Sequence, residues 1–570
     1  MKKMAAGRPD MLLENLIFDA MDSNSTEGVA LSVSNIDYAD TGYFGKIILD
    51  YIADRPALRP FYHRRPLIDS FSAQLDEKAA GSSDRETLVS ALKSQYQKSG
   101  LRHPAIDLLS KPNSFTITTG HQVCLFTGPL YFIYKIVSAI KTCRMLSEKH
   151  PEQHFVPVFW MATEDHDFEE ANHFYLPTGK LSWESGQGGA VGRMHPDGLD
   201  EVLNEMREQL GIGYHSGDLI RLFESAYLKQ PTIADATRYL VHQIFGEFGV
   251  VSVDGDDPAL KAIAAPMFKK ELLEGISSKA MAATNEALSK HYNLQVHGRE
   301  INLFYIDDQL RERIVRNADG SFEVVNTALK FTQSEILNLL DRHPEKFSPN
   351  VVLRGLYQEI ILPNLAYIGG GGELAYWFQL KGVFASFGVV FPLLLLRNSA
   401  LFIDHDSAES MAALSLSSSD LFSPVMEVEN RLVSKNTDRV LNLDEAREKI
   451  EAAFLEVEKR LGATEASLER SVRSGFERTD RILKNLEKKL LKAERKKQDI
   501  ILNRFHKLRA VLFPREGLQE RNMNFAILYE ALGPDFVEVL LQSFDPFDAR
   551  FLLLQESEDA HRQVNAMDAT

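Results

Sequence analysis

One stretch of about 50 residues restricts the fold more than any other part of the chain. FTITT, Phe115 to Thr119, is short and β-branched, and the Lys111–Ser114 turn precedes it, so it reads as a strand. A loop carrying Gly120 and Gly128 follows. Pro129 then opens LYFIYKIVSAIKTCRMLSEK, which reads as a helix, because proline's missing N–H would be unbonded in a first helical turn anyway. After His150-Pro151 comes a second apolar run, FVPVFWMAT, Phe155 to Thr163. Strand, helix and strand in this order make a βαβ unit. Strands apolar on both faces favour a parallel sheet covered by helices. The expected class is therefore α/β.

The rest of the chain is read against that unit. Residues 1 to 28 look like a polar N-terminal extension. From about Ile36 to Leu109 the pattern is helical. VVSVD (Val250–Asp254), INLFYI (Ile301–Ile306) and GVVFPLLLL are further candidate strands, which extend an α/β core over 29–435. An insertion is expected around 178–240, and its Gly-rich part, 178–216, reads as an insertion or mobile loop. Residues 444–513 shift to Glu, Lys, Arg and Leu. There Phe476, Leu483, Leu486, Leu490, Ala493 and Ile500 keep three/four spacing, and the seam then moves to Ile501, Phe505, Leu508 and Leu512. This predicts a long coiled coil with a discontinuity, broken into two helices at Gly462. Residues 514–570 read as a helical segment returning to the core.

Composition narrows the function. The 570 residues suggest roughly two to four domains, and 44% hydrophobic content supplies a large core. A net charge of −16 disfavours phosphate backbones. The basic run Lys484–Asp499 is interleaved with glutamates and reads as a solvated helix face, so no nucleic-acid partner is expected. The chain's two cysteines, Cys124 and Cys143, give neither a disulfide framework nor a Cys-rich zinc site. The N-terminus has no sustained apolar region, and FGVVFPLLLLR is far too short to span a bilayer. A cytoplasmic protein without a membrane partner is expected.

Ligands of open α/β sheets bind beyond the carboxyl ends of the strands; that rule selects two loops, and a third constellation joins them. In TTGHQVCLFTGPLY, Gly120 and Gly128 permit tight turns and a close ligand, while His121, Gln122 and Thr127 add polar groups. The helix N-terminus there could take an anion, with Lys135 further along to neutralise it. The pattern is not a dinucleotide fingerprint. In ATEDHDFEEANH, Glu164, Asp165, His166 and Asp167 crowd one strand end, which calls for a balancing cation such as a substrate ammonium or Mg²⁺. The spacing is no known zinc motif, so no metal ligands are assigned. In FSPNVVLRGLYQEIILPNLAYIGGGGELAYWFQLK, Arg354 and Gln358 lie one turn apart. Asn364 precedes a glycine run, of which Gly369, Gly370 and Gly371 could present N–H groups to an anion, and Glu373, Tyr376 and Trp377 follow. Arg397 and Asn398 end the next apolar strand. Glu164–Asp167 and His121 are the expected catalytic groups, and the others the expected substrate or nucleotide contacts.

These three strings, with LFPREGLQERNMNF near the C-terminus, resemble the bacillithiol biosynthesis cysteine-adding family, BshC. The likeness runs from about residue 29 to the end. It implies a Rossmann-like core with inserted connecting segments, similar in architecture to class I aminoacyl-tRNA synthetases, and a coiled coil that joins two subunits as a homodimer. The implied reaction adds L-cysteine to the amine of glucosaminyl malate, with ATP and Mg²⁺ as possible co-reactants. The competing readings are a nucleotide-dependent, synthetase-like enzyme acting on another amine, and a coiled-coil scaffold.

Overall fold

The computed structural model describes residues 31–81, 83–435, 443–461 and 466–556. Ser114–His121 (β1), His154–Met161 (β2), Val251–Asp254 (β3), Asn364–Gly369 (β4) and Leu393–Leu396 (β5) form one sheet in the order β5-β4-β1-β2-β3. Every neighbouring pair is parallel. The strand order reverses between β1 and β4. The helices after these two strands leave on opposite faces, which opens a crevice at their carboxyl ends.

The two faces follow from alternation along the strands. Val156, Val158 and Trp160 of β2 pack with Val251, Val253 and the helices Val351–Ile361 and Gly371–Phe387. Phe159 and Met161 point the other way, onto the helix Tyr131–Lys149. Each such side chain contributes roughly 1.5–3 kcal/mol on full burial. The expected βαβ unit and double cover are therefore present.

Four expectations need correction. Ile301–Ile306 does not extend the parallel sheet. Leu303–Asp307 belongs to a separate five-stranded sheet with Leu310–Arg316, Phe322–Val324, Lys330–Phe331 and Phe347–Pro349, every pair antiparallel. The Gly-rich stretch after 178 is packed, not loose: Gly179–Ser182 completes a hairpin with His173–Leu176, and Leu199–Leu210 is a helix. The region from 36 begins with a strand, Leu31–Asp37, which pairs antiparallel with Arg550–Glu556. That last strand also lies parallel to Ala400–Ile403, so the C-terminal segment is not all helical. The N-terminal extension and Gly462 lie outside the described residues.

In the coiled-coil region Asp444–Leu461 and Ala466–Lys497 pack antiparallel on each other. Arg447 meets Asp480 and Glu487, both at 3.0 Å, and the Phe454 and Phe476 rings lie 5.8 Å apart. Leu483 is buried, whereas Leu486, Leu490 and Ile500 stay exposed. Phe505, Leu508 and Leu512 of the next helix, Asp499–Leu512, bury against Leu401 and Ile403.

One histidine pair sits behind β3. Tyr96 accepts the Ser252 N–H at 2.9 Å and packs on His103 and His242, whose rings are 5.4 Å apart. His103 Nε2 donates to Gly246 O at 3.0 Å, and Nδ1 accepts the Ala105 N–H at 3.1 Å. Burial pushes the His103 imidazole down to about 4, and His242 shifts the same way. With the folded value below that of the unfolded chain, near 6.5, the neutral ring contributes stability above that pH. The contribution is lost as pH falls from 6.5 towards 4, at most about 3 kcal/mol for His103. The fall in melting temperature between pH 7 and pH 5 should be smaller in His103→Gln than in the parent; equal falls would remove this histidine as a cause.

Candidate active site

Lys135, in the second turn of the Tyr131 helix, reaches back over the end of β1. Its ammonium, 3% exposed as a residue, donates to Gly120 O and to Glu373 Oε2, the latter at 2.6 Å. Glu373, in the first turn of the helix after β4, also accepts the Tyr367 hydroxyl at 2.5 Å and the Gly370 N–H at 3.1 Å. Arg354 continues the chain, donating to Tyr367 OH at 3.2 Å and to Gln358 Oε1 at 3.3 Å. Burial raises the cost of charge on Glu373, but Lys135 and the other donors hold its carboxyl below the usual range. Burial draws the Lys135 ammonium down, and Glu373 opposes that. The crevice is thus bridged by one buried, hydrogen-bonded ion pair.

His121 lies beside this bridge. Its Nδ1 faces Gln122 O at 3.0 Å, which requires Nδ1–H, so Nε2 accepts from the Tyr131 hydroxyl at 3.1 Å. Burial, then the Lys135 charge, push the imidazole down to about 4, so the ring is neutral at physiological pH. Next to it opens a cavity of about 160 Å³. His121, Cys124 and Tyr131 form one wall, Glu170, His173 and Tyr175 another, and Arg521–Met523 of the C-terminal region a third. Cys124 Sγ is 3.7 Å from His121 Nδ1, and burial raises the thiol's pKa strongly, so it is held as a thiol.

The acidic loop divides into two environments. Glu164 pairs with Lys261 at 2.8 Å, which also holds Asp256 at 2.6 Å. Arg193 bonds both Asp256 oxygens, at 2.5 and 2.9 Å. The cation that the crowded carboxylates demanded is therefore a fully buried lysine from the helix after β3, which corrects the expectation that substrate must balance Glu164. Asp165 accepts from Gln122 Nε2 at 3.0 Å and lies 3.7 Å from Arg311, which meets His166 Nδ1 at 2.9 Å. Asp167 caps the short helix Phe168–Ala171 by accepting the Glu170 N–H at 3.2 Å. Glu170 accepts from Gln122 at 2.9 Å and has no ion pair among the described residues; burial raises its pKa.

Several expected contacts have other work. Asn364 opens β4 at the opposite edge of the sheet, accepting from Thr116 and Thr118 and donating to the buried Glu359 at 2.5 Å. Gln358 is fully buried and donates to the same carboxylate. Trp377 is fully buried and stacks on Tyr367 at 4.4 Å, and Tyr376 bonds Arg354. Arg397 gives Nη1 and Nη2 to Glu520, at 3.0 and 2.6 Å, and Asn398 bonds Ser138 and Asp545 O. The N-terminus of the Tyr131 helix is largely satisfied within the protein: Leu130 N–H donates to Met523 O and Phe132 N–H to Pro129 O. Thr127 is buried and Gly128 has φ 64°, where an added Cβ would sit 2.7 Å from Cys124 Cβ. Gly369 ends β4, and Gly371 starts the helix that carries Glu373.

His121, Gln122, Lys135, Glu373 and Asp165 are brought together, directly or through Gln122 and Gly120. The cavity itself is lined by His121 but by neither Asp165 nor Glu373. Tyr131 and Glu170 line the cavity and lie in the selected strings, where nothing in the local pattern singles them out. Lys261 and Arg311 are distant in sequence and carry no local signal, whereas Arg521 lies in the string LFPREGLQERNMNF without standing out within it. Among the described residues, no group of three or more His, Cys, Asp or Glu side chains could hold a metal ion, and no helix is long and apolar enough to cross a membrane.

Comparison with known proteins gives consistent matches over both halves. The family model described as "Bacillithiol biosynthesis BshC, N-terminal Rossmann-like domain" matches residues 31–398, and its C-terminal coiled-coil counterpart matches 400–556. A protein of Flavobacterium johnsoniae named "Putative cysteine ligase BshC" is 43% identical, over 91% of this chain and 99% of its own. Proteins of the same name from Flavobacterium psychrophilum (92% of this chain, 99% of its own) and Christiangramia forsetii (91% and 98%) are each 42% identical. A solved structure titled as a putative arginyl-tRNA synthetase from Campylobacter jejuni aligns over 79% of this chain and 99% of its own. It is 12% identical with a TM-score of 0.20, too low to support the expected synthetase-like architecture.

The bridge is open to a direct test. Lys135→Met strands Glu373 and Gly120 O and should cost roughly 3–5 kcal/mol in chemical denaturation. Adding Glu373→Gln should then cost less than Glu373→Gln costs alone, because the two groups act as a pair. Strictly additive losses would show that the pair is not coupled.

Proposed function

The chain belongs to the bacillithiol biosynthesis BshC family, and on that premise we propose that it is a cysteine ligase that joins the carboxyl of L-cysteine to the amine of glucosaminyl malate. The observation that carries the reading is the cavity beside His121. It opens at the carboxyl end of β1, and its lining includes a carboxylate, Glu170, that has no ion pair among the described residues.

An amide does not form from a free carboxylate in water without activation, most simply by a nucleoside triphosphate. The chain's own groups then have three tasks. Glu170 and Asp165 attract an ammonium. Neutral His121, its tautomer fixed by Gln122 O, takes a proton from the attacking amine through the Tyr131 hydroxyl. Holding both partners in line at the cavity lowers the entropic barrier. A Mg²⁺ ion accompanying a nucleotide would draw its ligands largely from phosphates and water.

The test is incubation with cysteine, glucosaminyl malate and ATP, with the thiol product read by mass spectrometry. His121→Ala should lower kcat by about 100-fold or more, and Glu170→Gln should mainly raise KM. Parent-level turnover in both variants, or no ligation by the parent, would sink the proposal. The exposed Leu486 and Leu490 also support a homodimer through the helical hairpin. Leu486→Glu with Leu490→Glu should then halve the mass seen by light scattering, and an unchanged mass would exclude this face.

A further inference from the structure

The cavity's third wall comes from the region that follows the helical hairpin, and its attachment is unusually specific. Asn524 is fully buried. Its Nδ2 donates to Phe126 O at 2.7 Å and to Gly128 O at 2.8 Å, and its Oδ1 accepts the Ala526 N–H at 3.1 Å. Its backbone N–H donates to Tyr175 O at 2.9 Å, and Met523 O accepts the Leu130 N–H at 2.7 Å. Two consecutive residues therefore stitch together the loop after β1, the start of the Tyr131 helix and the hairpin that bears His173 and Tyr175.

Within the loop Gly128 N–H donates to Leu125 O at 2.8 Å, and Phe126 N–H donates to Tyr227 OH at 2.8 Å, but the Phe126 and Gly128 carbonyls are bonded by Asn524. Phe126, Thr127 and Gly128 have φ values of 46°, 67° and 64°, three successive left-handed residues, two of them not glycine. Left-handed backbone at non-glycine residues persists only when its surroundings over-determine it. Carbonyls in such a turn point away from regular partners. The Asn524 amide supplies the two N–H groups they need, and an isosteric carboxylate could not.

We propose that Asn524 is a positioning residue for the reaction: it locks the 126–128 turn, and through it Cys124, His121 and Gly128 at the cavity, to the C-terminal region. The claim rests on the reading of that cavity as the substrate site. Gln519, in the same segment, is the matched control. It is also buried and bonds two backbone groups, but those belong to Phe402, away from the cavity.

The experiment uses the full chain with Asn524→Asp and Gln519→Glu, each replacing an amide donor by a carboxylate. N-ethylmaleimide labelling of Cys124, resolved from Cys143 by peptide mass, reports the loop. Ligation kinetics report the site. Asn524→Asp should speed Cys124 labelling roughly tenfold or more and lower kcat/KM by a similar factor, with Gln519→Glu near the parent in both. If Asn524→Asp does not fold, Asn524→Ala removes the same donors without adding charge and is read identically. Unchanged labelling in the Asn524 variant, or equal acceleration in Gln519→Glu, would overturn the clamp. Faster labelling with unimpaired ligation would leave the clamp standing and overturn the placement of substrate in the cavity.

Discussion

A buried ammonium is among the costliest groups a fold can carry, and the rim of this sheet is organised around one. Lys135 is drawn out of water at the point where strand order reverses, so its three donors must find acceptors that the backbone alone does not supply. Two acceptors meet it, Gly120 O at the end of β1 and Glu373 Oε2 from the first turn of the helix after β4. Tyr367 and Arg354 then satisfy the second oxygen of Glu373 and the tyrosine in turn. Such a relay stabilises only when complete, since any one vacancy leaves a buried charge unmatched. His121 follows Gly120 directly, and burial, aided by the Lys135 charge, keeps its ring neutral.

The acidic loop shows the complementary solution. Four charged side chains, Glu164, Lys261, Asp256 and Arg193, neutralise one another beneath the end of β2. The deeper carboxylate is thereby spent on structure. The outer ones, Asp165 and Glu170, share Gln122 as a neutral donor, and Glu170 lines the cavity. A loop that reads as uniformly acidic thus separates by depth into a scaffold and a surface able to receive a cationic group.

Much of this was legible where a local pattern decides the outcome. β-branched and apolar runs located β1, β2, β3 and β5, and Pro129 and the glycines located the loops that follow β1 and β4. What local pattern cannot show is which charges meet. The string around Glu164 gives no hint of Lys261, almost a hundred residues later. Arg397 looks like an anion receptor until Glu520 is found against it. Asn364 misled because one continuous string crosses the sheet: its glycines emerge at the functional edge, while its asparagine stays at the other end of the same strand. INLFYI misled because an apolar hexapeptide does not encode its partner, and it paired antiparallel in a sheet of its own.

The partition at residues 398 and 400 describes the two halves of the sequence better than it describes the working unit. Ala400–Ile403 leaves the core directly beside Arg397, the chain passes through the helical hairpin, and Gln519–Asn522 brings it back onto the same strand through Glu520. Arg397 and Glu520 make that return an ion pair in which both side chains are almost wholly buried, so removing either partner would leave a charge that nothing else nearby matches. The segment that closes the cavity is therefore anchored twice, to the sheet by Glu520 and to the turn after β1 by Asn524. A hairpin inserted between two anchored ends can change length or partner without moving the pocket, whereas a shift of the anchors by one residue would dismantle it.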